Sequence, residues 1–187
     1  MSIRSDIEKY VPWNRQEEKD RLLMLDFLDR GETPFLRENA VAHMTASAWI
    51  VNPARTKVLL CYHDVYDSWS WTGGHADGNE DLLAVALKEA AEETGALSVR
   101  PVMGKIFSLE ILTVDGHEKK GEYVSSHLHM NVTYLLEADE DDRIRPREGE
   151  NSAVGWFAPE EALQASSEPW FVRRIYSKLN AKLREQS

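Results

Sequence analysis

The feature that most constrains this chain is one helix-forming segment, Asp81 to Thr94, set among short β-rich runs. Ala42 to Val51, Lys57 to His63 and Trp69 to Thr72 precede it; Lys105 to Val114, Tyr123 to Ala138 and Ala153 to Phe157 follow it. Helical patterns bracket the whole, with Ile3, Ile7 and Tyr10 on one side of a first segment and an amphipathic stretch from Pro169 to Arg184 at the end. The order α-β-β-β-α-β-β-β-α predicts an α/β fold, a mixed sheet with helices on both faces.

Local signals place the boundaries. Asn14 followed by Glu17 resembles a capping box opening a helix over Arg15 to Arg30, with Leu22, Met24, Leu25 and Leu28 as its apolar residues and Gly31 as its stop. Thr33-Pro34 begins a loop, Asn52 to Thr56 is a turn, and Gly95 takes the usual position after a helix end. Asp115 to Gly121 reads as a polar turn and Asp139 to Asp142 as a solvated acidic loop. Residues 1–39 are expected to form a helical extension packed on a domain of residues 40–187. They either cover a sheet edge or make a homodimer contact.

Composition excludes several functions. Asp plus Glu number 32 against 22 Lys plus Arg, a net charge of −10. So acidic a surface repels nucleic acid and anionic membrane, and an anionic substrate would need a local positive charge, for which a divalent metal is the obvious source. One cysteine, Cys61, leaves no internal disulfide and no cysteine-based zinc site. The N-terminus does not read as a secretory signal and no apolar run approaches the roughly 18–20 residues that span a bilayer. A soluble, cytoplasmic protein is expected.

Chemistry concentrates on the central helix. Glu89, Glu92 and Glu93 stand at i, i+3 and i+4, within one arc of roughly 100°. Leu83, Leu87, Ala90 and Thr94 fall opposite, on the side expected to meet the sheet. Three carboxylates so crowded repel one another; a hard divalent cation removes the repulsion, and Gly73-Gly74 just upstream lets backbone approach the same ion. A solvent-facing acidic surface would account for the glutamates alone. The wider spacing does more. Gly74, Glu80, Glu89, Glu92, Glu93 and Gly95 match the pattern G-x5-E-x7-R-E-U-x-E-E-x-G-U, in which U is a bulky aliphatic residue. At ordinary residue usage, six such matches arise by chance in fewer than about one such chain in 10⁴. The segment resembles the Nudix box. It departs from it at Lys88, where the box has arginine, and at Ala90 and Ala96, its aliphatic positions.

The resemblance implies a Nudix-like α/β/α sandwich with a mixed central sheet, and hydrolysis of a small diphosphate compound using Mg²⁺ or Mn²⁺. Residue by residue, it makes Glu89, Glu92, Glu93 and the Gly73 carbonyl metal ligands, with Glu89 or Glu93 also a base, and Glu80 a structural tie between loop and helix. Glu150, six residues before Trp156, suits the late-loop catalytic glutamate of many members. His75, His127, His129, Trp71 and Lys88 are candidate substrate contacts; His127 and His129 share one strand face, and Trp69 and Trp71 could equally pack the core. Lys105, Lys119 and Lys120 could offset phosphate charge. An isoprenyl diphosphate isomerase shares this fold but needs a cysteine just before the box, where Thr72-Gly73-Gly74 stands. A non-catalytic sensor on the same fold is the other alternative, raised by Lys88.

Overall fold

The computed structural model describes residues 2–30, 33–119 and 121–186. Gly31 and Lys120 lie outside the described residues. The elements run α1 (Ile3–Lys9), α2 (Arg15–Arg30), β1 (Ala42–Val51), β2 (Val58–His63), β3 (Ser68–Ser70), β4 (Thr72–His75), α3 (Leu82–Thr94), β5 (Arg100–Pro101), β6 (Ser108–Val114), β7 (His117–Lys119), β8 (Glu122–Val124), β9 (His127–Glu137), β10 (Asn151–Phe157) and α4 (Pro159–Ala165). A final continuous helix follows as α5 (Pro169–Phe171), a π-helical turn over Val172–Tyr176 and α6 (Ser177–Arg184).

The main sheet is mixed, ordered β10-β2-β1-β9-β5, with β3 on β2, β4 on β1 and β6 on β9. Its centre is the parallel pair β1 and β9, in register from Ala42↔Leu128 to Val51↔Glu137. Both faces of β1 are covered, as a central strand requires. Its even residues Met44, Ala46, Ala48 and Ile50 meet Leu82, Val85, Ala86 and Ala90 of α3. Its odd residues Trp49 and Val51 meet Ile175, Tyr176 and Leu179 of the final helix. The period of two thus builds the expected α/β/α sandwich.

Several elements differ from the sequence reading, and the run Trp69 to Thr72 is split between β3 and β4. The run Tyr123 to Ala138 breaks at Ser125-Ser126, where Ser126 Oγ accepts the Gly116 N–H at 2.9 Å. The predicted polar turn before it pairs instead as β7 with β8, a separate hairpin. The acidic loop is partly structural, because Asp142 Oδ2 accepts the N–H groups of Leu97 and Ser98 at 2.9 and 2.8 Å.

Only half of the predicted capping box forms. Asn14 Oδ1 accepts the Glu17 N–H at 2.9 Å, but the Glu17 carboxylate accepts the Trp13 N–H at 2.7 Å in place of that of Asn14 and turns its other oxygen into the interior. There it meets Lys182 Nζ at 2.8 Å and Lys178 Nζ at 3.2 Å, and accepts from the Tyr10 and Ser108 hydroxyls. Burial alone would raise its pKa; the two ammonium groups outweigh that and hold it down at about 2. Through Glu17, α2 is joined to α6 and β6.

Candidate active site

The box helix is held at both ends. Asp81 caps its start by accepting the Ala84 N–H at 3.0 Å, and Asn79 Oδ1 accepts the Asp81 N–H at 2.9 Å. Glu80 is exposed, so Asn79 and Asp81 make the loop-to-helix tie that the resemblance assigned to Glu80. Gly95 ends the helix in the left-handed region at φ +68°, with Arg145 packed where a Cβ would stand.

Packing sorts the three box glutamates by depth. The buried stripe of α3 runs through Leu82, Val85, Ala86, Ala90, Glu93 and Thr94, rotated from the predicted stripe, so Leu83 and Leu87 are only half-buried. Glu93 is therefore 2 % exposed, Glu89 half-buried and Glu92 exposed. Glu93 Oε1 accepts the Gly73 N–H at 3.0 Å. Its Oε2 is buried without a hydrogen-bond partner, 3.4 Å from His63 Nε2. Burial first, then the charges of Glu89 and Glu150, push Glu93 up to about 8 against the opposing Gly73 N–H and Arg147. Glu89 lies over Gly74: a Cβ there would stand 2.7 Å from its Cγ and Cδ.

Two cations sit among these carboxylates. Lys88 Nζ is 2.9 Å from Glu89 Oε1 and 3.4 Å from Glu92 Oε2. Arg147 Nη1 is 2.9 Å from Glu92, 3.0 Å from Glu150 and 3.7 Å from Glu89. Glu150 thus reaches the same cluster as the box glutamates. The loop bearing Arg147 and Glu150 is pinned by buried Asn151, whose Oδ1 accepts the Arg147 N–H at 2.8 Å and whose Nδ2 donates to Glu93 O at 3.0 Å.

Arg147, Asn151 and His63 were not singled out from the sequence. Arg147 stands in an ordinary charged stretch, Arg145-Pro146-Arg147-Glu148, and His63 at a plain strand end. Only the i,i+3 spacing of Arg147 and Glu150 hints at a pair.

His75, His127 and His129 come together with His43 on the sheet face turned away from α3. His127 Nε2 is 3.2 Å from His129 Nε2, and the His43 ring lies 5.0–5.1 Å from the other three. Burial, and the neighbouring His75, His43, His127 and Arg37, lower the His129 pKa to about 2. Trp71 is buried, edge-on to Phe171 and Tyr176, and Trp69 packs edge-on to Phe157. Trp71 therefore stands in the apolar core beneath the final helix and not in an open cleft. Lys105 lines a separate cleft with Ser2, Asp6 and Glu80. Cys61 is buried in β2, its thiol 3.6 Å from the Glu93 carbonyl and its pKa raised by burial, which leaves it an inert core thiol.

The donor set suits a hard divalent cation. It offers three carboxylates from one helix face, a fourth from a late loop, one buried carboxylate oxygen with no hydrogen-bond partner, and two glycines that let backbone come close. Such a sandwich, gathering acidic side chains on one helix against a Gly-Gly strand, defines a hydrolase of the Nudix class. The NUDIX domain profile matches residues 41–179, and the chain belongs to the Nudix family.

It is similar to the asymmetrical bis(5'-nucleosyl)-tetraphosphatase of Mus musculus, 30% identical over 108 residues that cover 57% of this chain and 67% of that protein. A NUDIX-family hydrolase from Clostridium perfringens shares its fold at a TM-score of 0.51 and 22% identity, over 78% of this chain and 98% of the other. A NUDIX hydrolase from Nitrosomonas europaea does so at 0.55 and 17%, over 76% and 88%. No helix among the described residues is long and apolar enough to cross a membrane.

Proposed function

We propose that the protein is a divalent-cation-dependent pyrophosphohydrolase that cleaves the diphosphate linkage of a small nucleotide, with Mg²⁺ as the cation and Mn²⁺ able to replace it. The observation that carries this reading is the convergence of Glu89, Glu92, Glu93 and Glu150 beside Gly73, with a buried oxygen of Glu93 that has no hydrogen-bond partner. When bound, such a cation neutralises phosphoryl oxygens and acidifies water. Glu89, Glu92, Glu93 and the Gly73 carbonyl would hold it. Glu89 or Glu93 takes the proton from the attacking water, and Glu150 joins from the late loop. Water adds to one phosphorus in line, the bridging P–O bond breaks, and the leaving phosphate departs with the bonding pair.

Lys88 and Arg147 share the orienting role of the box's arginine. Lys88 supplies a point charge to Glu89 and Glu92, and Arg147 supplies the planar guanidinium that lysine lacks. A nucleoside polyphosphate is the favoured substrate, supported by the similarity to a dinucleoside tetraphosphatase. The isomerase alternative is disfavoured by the burial of Cys61. With its single cysteine reduced and enclosed, we assign the protein to the cytoplasm.

The test is product release from nucleoside triphosphates, dinucleoside polyphosphates, ADP-ribose, CoA and sugar nucleotides, in Mg²⁺, Mn²⁺ and EDTA, by wild type and Glu93→Gln. Cation-dependent turnover lost in the variant supports the hydrolase. A folded wild type that turns over nothing, yet melts higher with one panel member, would make it a binding module.

A further inference from the structure

We infer that His43, His75 and His129 form a second metal site, for a divalent transition ion of the zinc class, separate from the carboxylate cluster and bordered by His127. The chain has six histidines, and these four meet on three adjacent strands. The register brings them there: β1 and β9 align His43 with His129, and β1 and β4 align Thr45 with His75, so all three side chains leave the same sheet face. One ring nitrogen from each of His43, His75 and His129 lies within 4.8 Å of the others. Ligation at about 2.0–2.1 Å needs separations of about 3.4 Å, a closure that small side-chain rotations supply.

The tautomers favour ligation. His43 Nδ1 lies 3.1 Å from the Asn39 carbonyl and His127 Nδ1 lies 2.8 Å from the Ser125 carbonyl. A carbonyl only accepts, so both rings carry their proton on Nδ1 and leave Nε2 as a lone pair. This is the arrangement by which backbone carbonyls orient metal-bound histidines. His43 is 4 % exposed and its Nε2 is buried with no hydrogen-bond partner. His127 Nε2, also a lone pair, accepts from His129 Nε2–H at 3.2 Å, which leaves His129 Nδ1 as that ring's lone pair. The buried His43 Nε2 thus aims a lone pair at the other rings with no donor facing it, and a cation fills that lack.

The donor chemistry selects the ion. Neutral imidazoles suit Zn²⁺, Co²⁺, Ni²⁺ or Cu²⁺, whereas Mg²⁺ requires oxygen. Outside the ring set, Arg37 and Asp77 neutralise each other through two bonds of 2.6 Å and add no net charge. The site is also distinct in space. Gly74 turns toward Glu89 on α3, while His75, the next residue of β4, points to the opposite face. A bound ion would fasten β4, β1 and β9 together two residues beyond Gly73.

The experiment uses the full chain without an affinity tag, stripped with chelator and titrated with Zn²⁺ alone against a chromophoric competitor. One equivalent should bind with sub-micromolar Kd, excess Mg²⁺ should not displace it, and Co²⁺ should give the visible bands of low-coordinate nitrogen ligation. His75→Asn and His129→Gln should each weaken Zn²⁺ at least tenfold, whereas Glu92→Gln with Glu93→Gln should leave it unchanged. The Co²⁺ spectrum and the glutamate variant keep the test decisive if a histidine variant fails to fold. A folded wild type that binds no Zn²⁺ overturns the inference. So does Zn²⁺ binding that survives the histidine changes and is lost with the glutamates.

Discussion

Gly73 donates its backbone N–H to Glu93 Oε1 at 3.0 Å, so the deepest carboxylate of the box helix is fixed to the strand that carries the glycines. One bond does not repay the burial of a charge. Glu93 accordingly titrates near 8 in the folded protein, against 4.5 for an ordinary glutamate. Between those values the native chain holds a proton that the unfolded chain has lost. Stability of the cation-free protein therefore falls as pH rises from about 4.5 to 8, then levels. Glu93→Gln keeps the Gly73 bond and removes the charge. In EDTA it should melt several degrees above wild type at about pH 8.5, with a flatter pH profile, while turnover drops at least about 100-fold. Parallel melting profiles for the two proteins would contradict this account.

The two glycines should fail differently. A Cβ on Gly73 would stand 2.5 Å from Ser47 Oγ and 2.8 Å from the Ala46 carbonyl, which is backbone of the central strand and has nowhere to go. One on Gly74 meets the Glu89 side chain, which can swing aside. Gly73→Ala is therefore expected to cost about 1–3 kcal/mol of stability. Gly74→Ala should leave the melting temperature within a few degrees and cut kcat about tenfold or more by displacing Glu89. Chemical denaturation and steady-state kinetics on the pair separate the two effects.

Arg147 touches three carboxylates of the cluster and Lys88 two. Removing Arg147 leaves more negative charge unopposed and also frees the Glu150 loop. Arg147→Ala should lower kcat/KM by about 10–100-fold, and Lys88→Ala by less. Lys88→Arg should hold or slightly raise the rate, because a guanidinium bonds carboxylates bidentately. Equal losses from the two alanine variants would remove Arg147 from its orienting role.

How far the sequence could be read depended on the range of the interaction. Local spacing placed the box helix and its Gly95 stop, because i,i+3 and i,i+4 neighbours and a left-handed glycine act within one turn, whereas Asp81, read as the first helical residue, is its cap. The exposure order of Glu89, Glu92 and Glu93 was not legible, since a rotation of the buried stripe by about one residue decides which carboxylate is enclosed. Arg147 meets Glu92 only because Asn151 ties a distant loop to the end of α3. The histidine cluster was half legible: alternation put His127 and His129 on one face, but His43 joins them only through the β1–β9 register. Glu17 misled, since its spacing from Asn14 signals a cap while its charge partners Lys178 and Lys182 lie more than 160 residues away.

Those partners make the strongest stability prediction. Glu17 is fully buried and balances Lys182 at 2.8 Å and Lys178 at 3.2 Å, with Glu110 at 2.9 Å from Lys178 as the second anion. Glu17→Gln would leave two enclosed ammonium groups facing one carboxylate, a loss of about 3–5 kcal/mol. At about 2–4 °C per kcal/mol for a chain of this size, the melting temperature should fall by roughly 10 °C. Because Glu17 titrates near 2 when folded and near 4.5 when unfolded, its contribution is complete above about 4.5 and disappears as pH falls toward 2. Wild type and variant should therefore converge in acid. Replacing both members, Glu17→Met with Lys182→Met, should recover much of the loss, since Lys178 keeps Glu110 and no charge is stranded. A double variant as unstable as the sum of its single changes would mean that the packing of α2 on α6, and not charge pairing, is what Glu17 supports.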